Sequence, residues 1–480
     1  MNGGTGVGRR RRAAVAGVLG AALATSGLAV GTERALAAPS PAAGQSGSRA
    51  PGTAAVPLPG GAVLAPVADA ADTVPTAQGL QQALAPLLQD KSLGTLNFAV
   101  SDAATGQFLF GAGENVPATP ASTTKLATSV AALSSLPADH RITTRVVAGA
   151  KPDEIVLIGG GDPTLTALPA DQVQVGGLPV DPDNAPASMA DLAAQTAAAL
   201  KAAGTTTVRL GYDTSLYTGP IRHMEKDDYN VAPVTPLMVD EGKYEPRSLL
   251  EAPARVPDPA AQAADAFTAA LKAVGITVQG RPAAATAGAD ARTLGTVSSP
   301  TLARLVERLL TYSDNTIAEA VARQVAVAAH QPASFEGAAG AVTQVLAKLG
   351  IPTTGVLLND GSGLSTANLI PPTTLVKLLA TAASPDHPEL RPVLTGLPVA
   401  GFTGTLAGRF GARSGAGEAS GILRAKTGSL SGVNTLAGTV VDADGRVLAF
   451  AMMTRTGAGA DTARAAVDRI VARLVACGCH

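Results

Sequence analysis

The sequence predicts an α/β fold in which an antiparallel sheet is flanked by helices and interrupted by a large inserted α+β region. Three observations lead there. Two short strand-like runs, Leu96 to Ser101 and Gln107 to Phe110, are joined by Asp102-Ala103-Ala104-Thr105-Gly106, which is hairpin chemistry. Near the other end, the runs Thr435 to Val441 and Val447 to Thr454 meet at the turn Asp442-Ala443-Asp444-Gly445. A closing helical run follows, Asp461 to Ala476, which can return beside a first helix at Thr76 to Leu88 across one antiparallel sheet. Between about Thr143 and Ala287 the texture changes to short strands, glycine turns and two amphipathic helices, Ser188 to Ala203 and Pro259 to Ala273.

Taken in order, the chain opens with Arg9 to Arg12, an uncharged run from Ala13 to Thr32, and the small-x-small site Ala35-Leu36-Ala37, the pattern of a secretory signal peptide over residues 1–37. An uncleaved membrane anchor is the alternative, and the weak apolarity of the run favours cleavage. Export is therefore expected, to the cell envelope or the medium. Its loss removes five arginines against one glutamate and leaves a mildly acidic product. Residues 38–75, rich in Pro, Ala, Gly and Ser, read as a linker. The catalytic body is expected over 76–142 and 288–480, with 143–287 inserted. In the insert, Ile155 to Leu165 reads as a buried strand running into a structural glycine turn. It has neither the lysine nor the following helix of a phosphate loop. After it come helices at Thr301 to Tyr312, Thr316 to Ala329 and Phe335 to Leu349, then a strand at Gly421 to Lys426.

Composition narrows the function. Hydrophobic residues make up 46% of the chain, enough for packed domains, while aromatics are 3%, tryptophan is absent and the net charge is −1. Nucleic-acid binding by stacking platforms or basic surfaces is excluded on that basis. The two cysteines, Cys477 and Cys479, are one residue apart, so a bridge between them staples nothing distant, and no other cysteine or histidine cluster completes a metal site. No cofactor is expected.

Three short motifs carry the chemistry. Pro120 precedes a run, Ser122 to Leu133, that reads as a buried helix, with Ser122 and Lys125 one turn apart on one face. A lysine amine there reaches the serine hydroxyl, and the helix's free N–H groups favour developing negative charge. The second motif is Ser313-Asp314-Asn315, between two helices. The third is Lys426-Thr427-Gly428, at the end of a strand. Cleaving an amide through a serine ester requires a nucleophile, a base, a proton carrier to the leaving amine and oxyanion donors. Ser122 supplies the first and Lys125 the second. Ser313 can relay the proton, and Asn315 can hold both Lys125 and the substrate backbone. Lys426 and Thr427 suit a substrate carboxylate, and Gly428 leaves space for a substrate paired along the strand. The N–H groups of Ser122 and Ser429 would form the oxyanion hole.

This trio is shared by penicillin-binding proteins and class A β-lactamases. Ser122 and Ser313 lie 191 positions apart, so something is inserted after the serine helix. That layout resembles the class C, type-4 low-molecular-mass penicillin-binding proteins, the D-alanyl-D-alanine carboxypeptidase/endopeptidase family. Gly161-Asp162-Pro163-Thr164-Leu165, Ala232 to Leu237 and Asp360-Gly361-Ser362-Gly363-Leu364-Ser365 look like further family signatures. The resemblance implies the transpeptidase-like fold of penicillin-binding proteins and β-lactamases, and a serine D,D-peptidase. Such an enzyme acts on D-Ala-D-Ala ends and D,D-cross-links of peptidoglycan stem peptides, is acylated by β-lactams, and associates with the cell wall or membrane surface. Two rivals are a β-lactamase and a non-catalytic peptidoglycan or β-lactam binder. The first lacks a recognisable deacylating Glu-x-x-Leu-Asn loop, and the second has no need of the base. The insert is expected to govern peptide choice, so that deleting it spares the reacting groups.

Overall fold

The computed structural model describes residues 73–181 and 184–480. The expected signal peptide and all but the last three residues of the expected linker lie outside these. Among the described residues no helix is long and apolar enough to cross a membrane.

The body is built on a five-stranded antiparallel sheet. Its strands run Arg424–Leu430, Val433–Val441, Val447–Arg455, Thr95–Asp102, Phe108–Ala112 in spatial order, so first and last segments of the body pair in one sheet. Alternation along the strands gives the sheet two unlike faces. Phe98, Val100, Leu436, Leu448, Phe450 and Met452 point to one side, against the first helix, Ala77–Leu88, and the last, Ala460–Val475. The other side presents Ala99, Ala437, Ala449, Ala451 and Met453 to the helix Pro372–Ala383. Small side chains there let that helix settle close to the sheet. The helix Thr124–Ser135 lies among Leu302–Thr311, Asn315–Ala328, Phe335–Lys348 and Pro372–Ala383, and together they complete this second layer. The C-terminal tail is fixed by the Cys479 carbonyl, which accepts the Thr76 N–H at 2.7 Å, and its two cysteines are bridged.

The insertion forms its own core around Val146, Leu157, Leu192, Leu210, Phe267 and Leu271. Its six-stranded mixed sheet is crossed by the helices Met189–Ala202 and Pro259–Ala273, each linking parallel strands. The sheet extends past the expected limits of 143 and 287. The strands that enter and leave the lobe, Arg141–Ala148 and Thr293–Thr301, pair with each other and belong to it. The glycine run after the strand Glu154–Ile158 is a turn in which the Gly161 N–H donates to the Pro236 carbonyl at 2.8 Å.

Residues 214–256 bridge this lobe and the body: Leu237 and Val239 pack in the lobe's core, while Ala232 N–H donates to Thr316 Oγ1 of the body at 3.1 Å. Within the segment the buried Arg255 donates to the Tyr229 and Glu241 carbonyls. The Glu241 carboxylate meets Arg308 of the body and Lys243, the latter at 2.8 Å. Burial disfavours its charge, yet Arg308, Lys243 and Arg255 hold Glu241 ionised well below the ordinary glutamate range.

Candidate active site

Ser122 lies in a single 3₁₀ turn, Ala121–Thr123, that leads into the helix Thr124–Ser135. Ala121 has φ +47°, a strained value for a residue with a Cβ, and two hydroxyls hold the turn in place. Thr123 Oγ1 donates to the Pro120 carbonyl at 2.7 Å, and Thr435 Oγ1, from the sheet, donates to the same oxygen at 2.8 Å. The nucleophile turn is thereby tied to the strands.

The Lys-Thr-Gly motif sits in the middle of the strand Arg424–Leu430 and not at its end, because the turn around Gly421, φ +77°, delays the strand start to Arg424. This is the outer strand of the sheet. Ala425 N–H points away from the neighbouring strand to the Pro398 carbonyl, and the register is regular. Backbone N–H groups alternate in direction, so those of Thr427 and Ser429 also face outward, toward Ser122. Gly428 plays a different part from the one expected. A Cβ on it would lie 2.2 Å from Thr435 Oγ1 and 3.0 Å from Ser122 N, so the missing side chain admits the nucleophile turn against the strand, not a substrate.

A cleft of about 320 Å³ runs between these parts, lined by Ser122, Ser313, Asn315, Thr427, Gly428 and Ser429. Both lysines lie beneath it with no exposed surface. Lys125 Nζ donates to Ser122 Oγ at 3.0 Å, to Asn315 Oδ1 at 2.5 Å and to the Ser362 carbonyl at 2.8 Å. Its three protons are thus fully used. Burial lowers its pKa to about 8 against the opposing charges of Asp360, Asp314 and Glu319. Lys426 Nζ donates to Ser313 Oγ and to the Thr427 carbonyl, each at 2.8 Å. Burial first, and the nearby Lys125 charge second, hold its pKa well below the ordinary lysine value. Lys426 therefore lies beneath the cleft wall and reaches the cleft through the Ser313 hydroxyl. Thr427 does line the cleft, its hydroxyl 2.8 Å from that of Thr405.

Ser313 occupies φ +59° between two helices, and Asp314 caps the second by accepting the Ile317 N–H at 2.8 Å. That kink aims Ser313 and Asn315 into one cleft. Asn315 Nδ2 in turn donates to the Asn230 carbonyl at 3.1 Å, so the insertion touches a residue that holds Lys125. Sequence reasoning also missed Thr405 and the cleft arginines Arg255, Arg409 and Arg464. None carries a local motif. The Asp360 loop did have a signal, and its part is structural as well as marginal. Gly363 and Leu364 line the cleft, while the Ser362 and Gly361 carbonyls bind Lys125 and Thr128.

The model of the D-Ala-D-Ala carboxypeptidase 3 (S13) family matches residues 80–254 and 248–475. A carboxypeptidase of Mycobacterium tuberculosis is 39% identical over 446 residues, covering 91% of this chain and 92% of its own. Carboxypeptidase DacB of Mycolicibacterium smegmatis is 38% identical over 419 residues, covering 86% and 87%. In fold, the chain is similar to penicillin binding protein 4 of Haemophilus influenzae, with a TM-score of 0.64 at 22% identity over 82% of this chain and 98% of that one. The family model spans the body and the insertion alike, and two relatives align over most of their lengths, so the protein belongs to the D-Ala-D-Ala carboxypeptidase 3 (S13) family.

Proposed function

We propose that the protein is a serine D,D-peptidase that cleaves the D-Ala-D-Ala end of peptidoglycan stem peptides, and D,D-cross-links, through an acyl-enzyme on Ser122. The observation that carries this is the buried Lys125 ammonium 3.0 Å from Ser122 Oγ at the floor of a cleft bounded by an open strand edge. A lysine with its pKa brought to about 8 holds a usable fraction of free amine near neutrality. The amine takes the Ser122 proton as Oγ attacks the penultimate carbonyl. The oxyanion is met by the N–H groups of Ser122 and Ser429. Ser313 passes its hydroxyl proton to the departing D-Ala nitrogen and is refilled from Lys426; in hydrolysis the attacking water returns a proton through Ser313 to Lys426, and Lys125 gives its proton back to Ser122 Oγ as the ester breaks. Acid–base help is worth about 10²–10⁴ in rate and an oxyanion donor about 10²–10³, so the groups must act together.

Acylation by β-lactams follows from the same geometry, since the lactam amide presents the same carbonyl to Ser122. The substrate lies outside the cytoplasm, where the Arg9 to Ala37 leader would deliver the enzyme. The test is labelling of the purified protein with a fluorescent penicillin, alongside release of D-Ala from a stem pentapeptide. Ser122→Ala should lose the label and cut D-Ala release by about 10⁴-fold or more. A label retained by that variant would identify another nucleophile, and rapid turnover of penicillin by the native protein would favour a β-lactamase.

A further inference from the structure

Below the cleft lies a buried histidine that the mechanism above does not use. His223 belongs to the returning segment of the insertion, and its side chain has no exposed surface. Its ring meets Phe335 edge to face, with centroids 5.2 Å apart. Nδ1 accepts the Glu225 N–H at 3.2 Å, which leaves the proton on Nε2, 2.9 Å from Asp360 Oδ2. Histidine thus donates to the carboxylate.

Asp360 organises the loop that follows it. Its Oδ1 accepts from Gly363 N–H at 2.8 Å and Asn368 Nδ2 at 2.7 Å; its Oδ2 accepts from Ser365 N–H at 2.6 Å and from His223. The buried Glu319 carboxylate receives the Gly361 and Ser362 N–H groups from the other side, at 3.1 and 2.9 Å. These bonds leave the Ser362 carbonyl aimed at Lys125 Nζ, 2.8 Å away. Gly363, at φ +84°, has no room for a Cβ, which would fall 1.9 Å from the Ala121 carbonyl, so the loop is also pressed against the nucleophile turn. His223, Asp360 and Glu319 offer ligand atoms close enough together for a metal ion. Their oxygens are, however, already filled by hydrogen-bond donors, and Arg323 bonds Glu319 at 3.2 Å. The trio reads as a brace, not a metal site.

We propose that His223 is a positioning residue for the acylation step: from the insertion, it holds the Asp360 loop so that the Ser362 carbonyl fixes Lys125 against Ser122. Removing the donor leaves a buried carboxylate oxygen short of a partner, and the loop relaxes to find one. A base displaced by even about 1 Å costs up to about 10²-fold in rate. His223 itself does not line the cleft, so its loss acts first on the position of the base.

This inference rests on the proposed serine mechanism, and the experiment separates the two. The full-length protein, His223→Met and His223→Gln are compared in stopped-flow acylation by a fluorescent penicillin, resolved into a binding constant and a limiting rate, with a thermal melt of each. Met keeps the packing on Phe335 and loses the donor; the Gln amide keeps a donor to Asp360. The limiting rate of His223→Met should fall about 10- to 100-fold with the binding constant unchanged, and His223→Gln should recover most of it. A folded His223→Met that acylates at the native rate overturns the proposal, as does loss confined to binding. Should His223→Met fail to fold, a folded His223→Gln as slow as about a hundredth of native would overturn it equally. No label on the native protein would instead overturn the serine mechanism itself, before either variant is made.

Discussion

The insertion contains two regions that behave oppositely. Its outer lobe, with the six-stranded sheet and the helices Met189–Ala202 and Pro259–Ala273, has a core of its own and, among the described residues, sends no side chain into the cleft's proton network. Its returning segment, 214–256, has almost no regular structure, yet it supplies the Asn230 carbonyl to Asn315, His223 to Asp360 and Glu241 to Arg308. Regular secondary structure buries its own backbone bonds and can stand apart, whereas an irregular segment must find partners elsewhere. Here two of the partners, Asn315 and the Asp360 loop, hold Lys125. What looks like an accessory domain along the chain contributes Asn230, Glu251 and Arg255 to the wall of the active site.

The largest test of this contrast is deletion. Removing residues 143–287 whole should abolish penicillin labelling, because the Asn315 and Asp360 contacts go with them. A folded deletion variant that is labelled at the native rate would return the entire insertion to an accessory role.

Breaking the seam at one residue should be the next largest effect. Glu241→Ala leaves Arg308, Arg255 and Lys243 facing one another with little solvent, at a cost of about 3–5 kcal/mol in urea unfolding. Since the folded carboxylate is held below the 4.5 of a free glutamate, its contribution is present at neutral and mildly acidic pH. It is lost only as the pH falls below that value through the folded one. A stability curve that declines already between pH 8 and 6 would place the weak point elsewhere.

Kinetics should follow a different group. The limiting acylation rate should rise about tenfold per pH unit up to about 8 and level off above it, as the buried Lys125 gives up its proton. A rate flat from pH 6 to 9 would argue against lysine as the base. At the smallest end, Arg209 pairs with Asp153 and Glu154 on the exposed edge of the outer lobe, and Arg209→Ala should alter neither the pH curve nor the urea midpoint measurably. A slowed variant there would show that the lobe does feed the cleft.

Much of this site is legible in the sequence because each motif is local. Ser122 and Lys125 meet through helix pitch, and Ser313 and Asn315 meet through one cap. The meeting of Lys125 with Asn315 follows from two helix ends in one body and needs no further signal. What escaped is set by packing between distant segments. Gly428 reads as a place for substrate until Thr435 and Ser122 are seen to fill the space above it. Lys426 reads as a positive field for a substrate carboxylate, and only its complete burial shows that its amine is directed to Ser313. His223 is one of five histidines with no periodicity or neighbour to mark it, and its partner lies 137 residues away. The helix Pro372–Ala383 passed unnoticed behind two prolines and two threonines, which weaken any helical signature at its start.

The alanine face of the body sheet has a consequence for anyone wishing to make this enzyme sturdier. Ala99, Ala437, Ala449 and Ala451 act as shims: the spacing between the sheet and the helix Pro372–Ala383 is gauged by methyl groups. Filling such positions with valine or isoleucine is a usual route to a tighter core, but overpacking a closed interior costs about 1–3 kcal/mol and moves backbone. Here the sheet that moves carries Thr435, whose hydroxyl ties the Ser122 turn to the strands. Gains in melting temperature are better sought in the outer lobe, where an added methylene changes a core that no reacting atom is measured against.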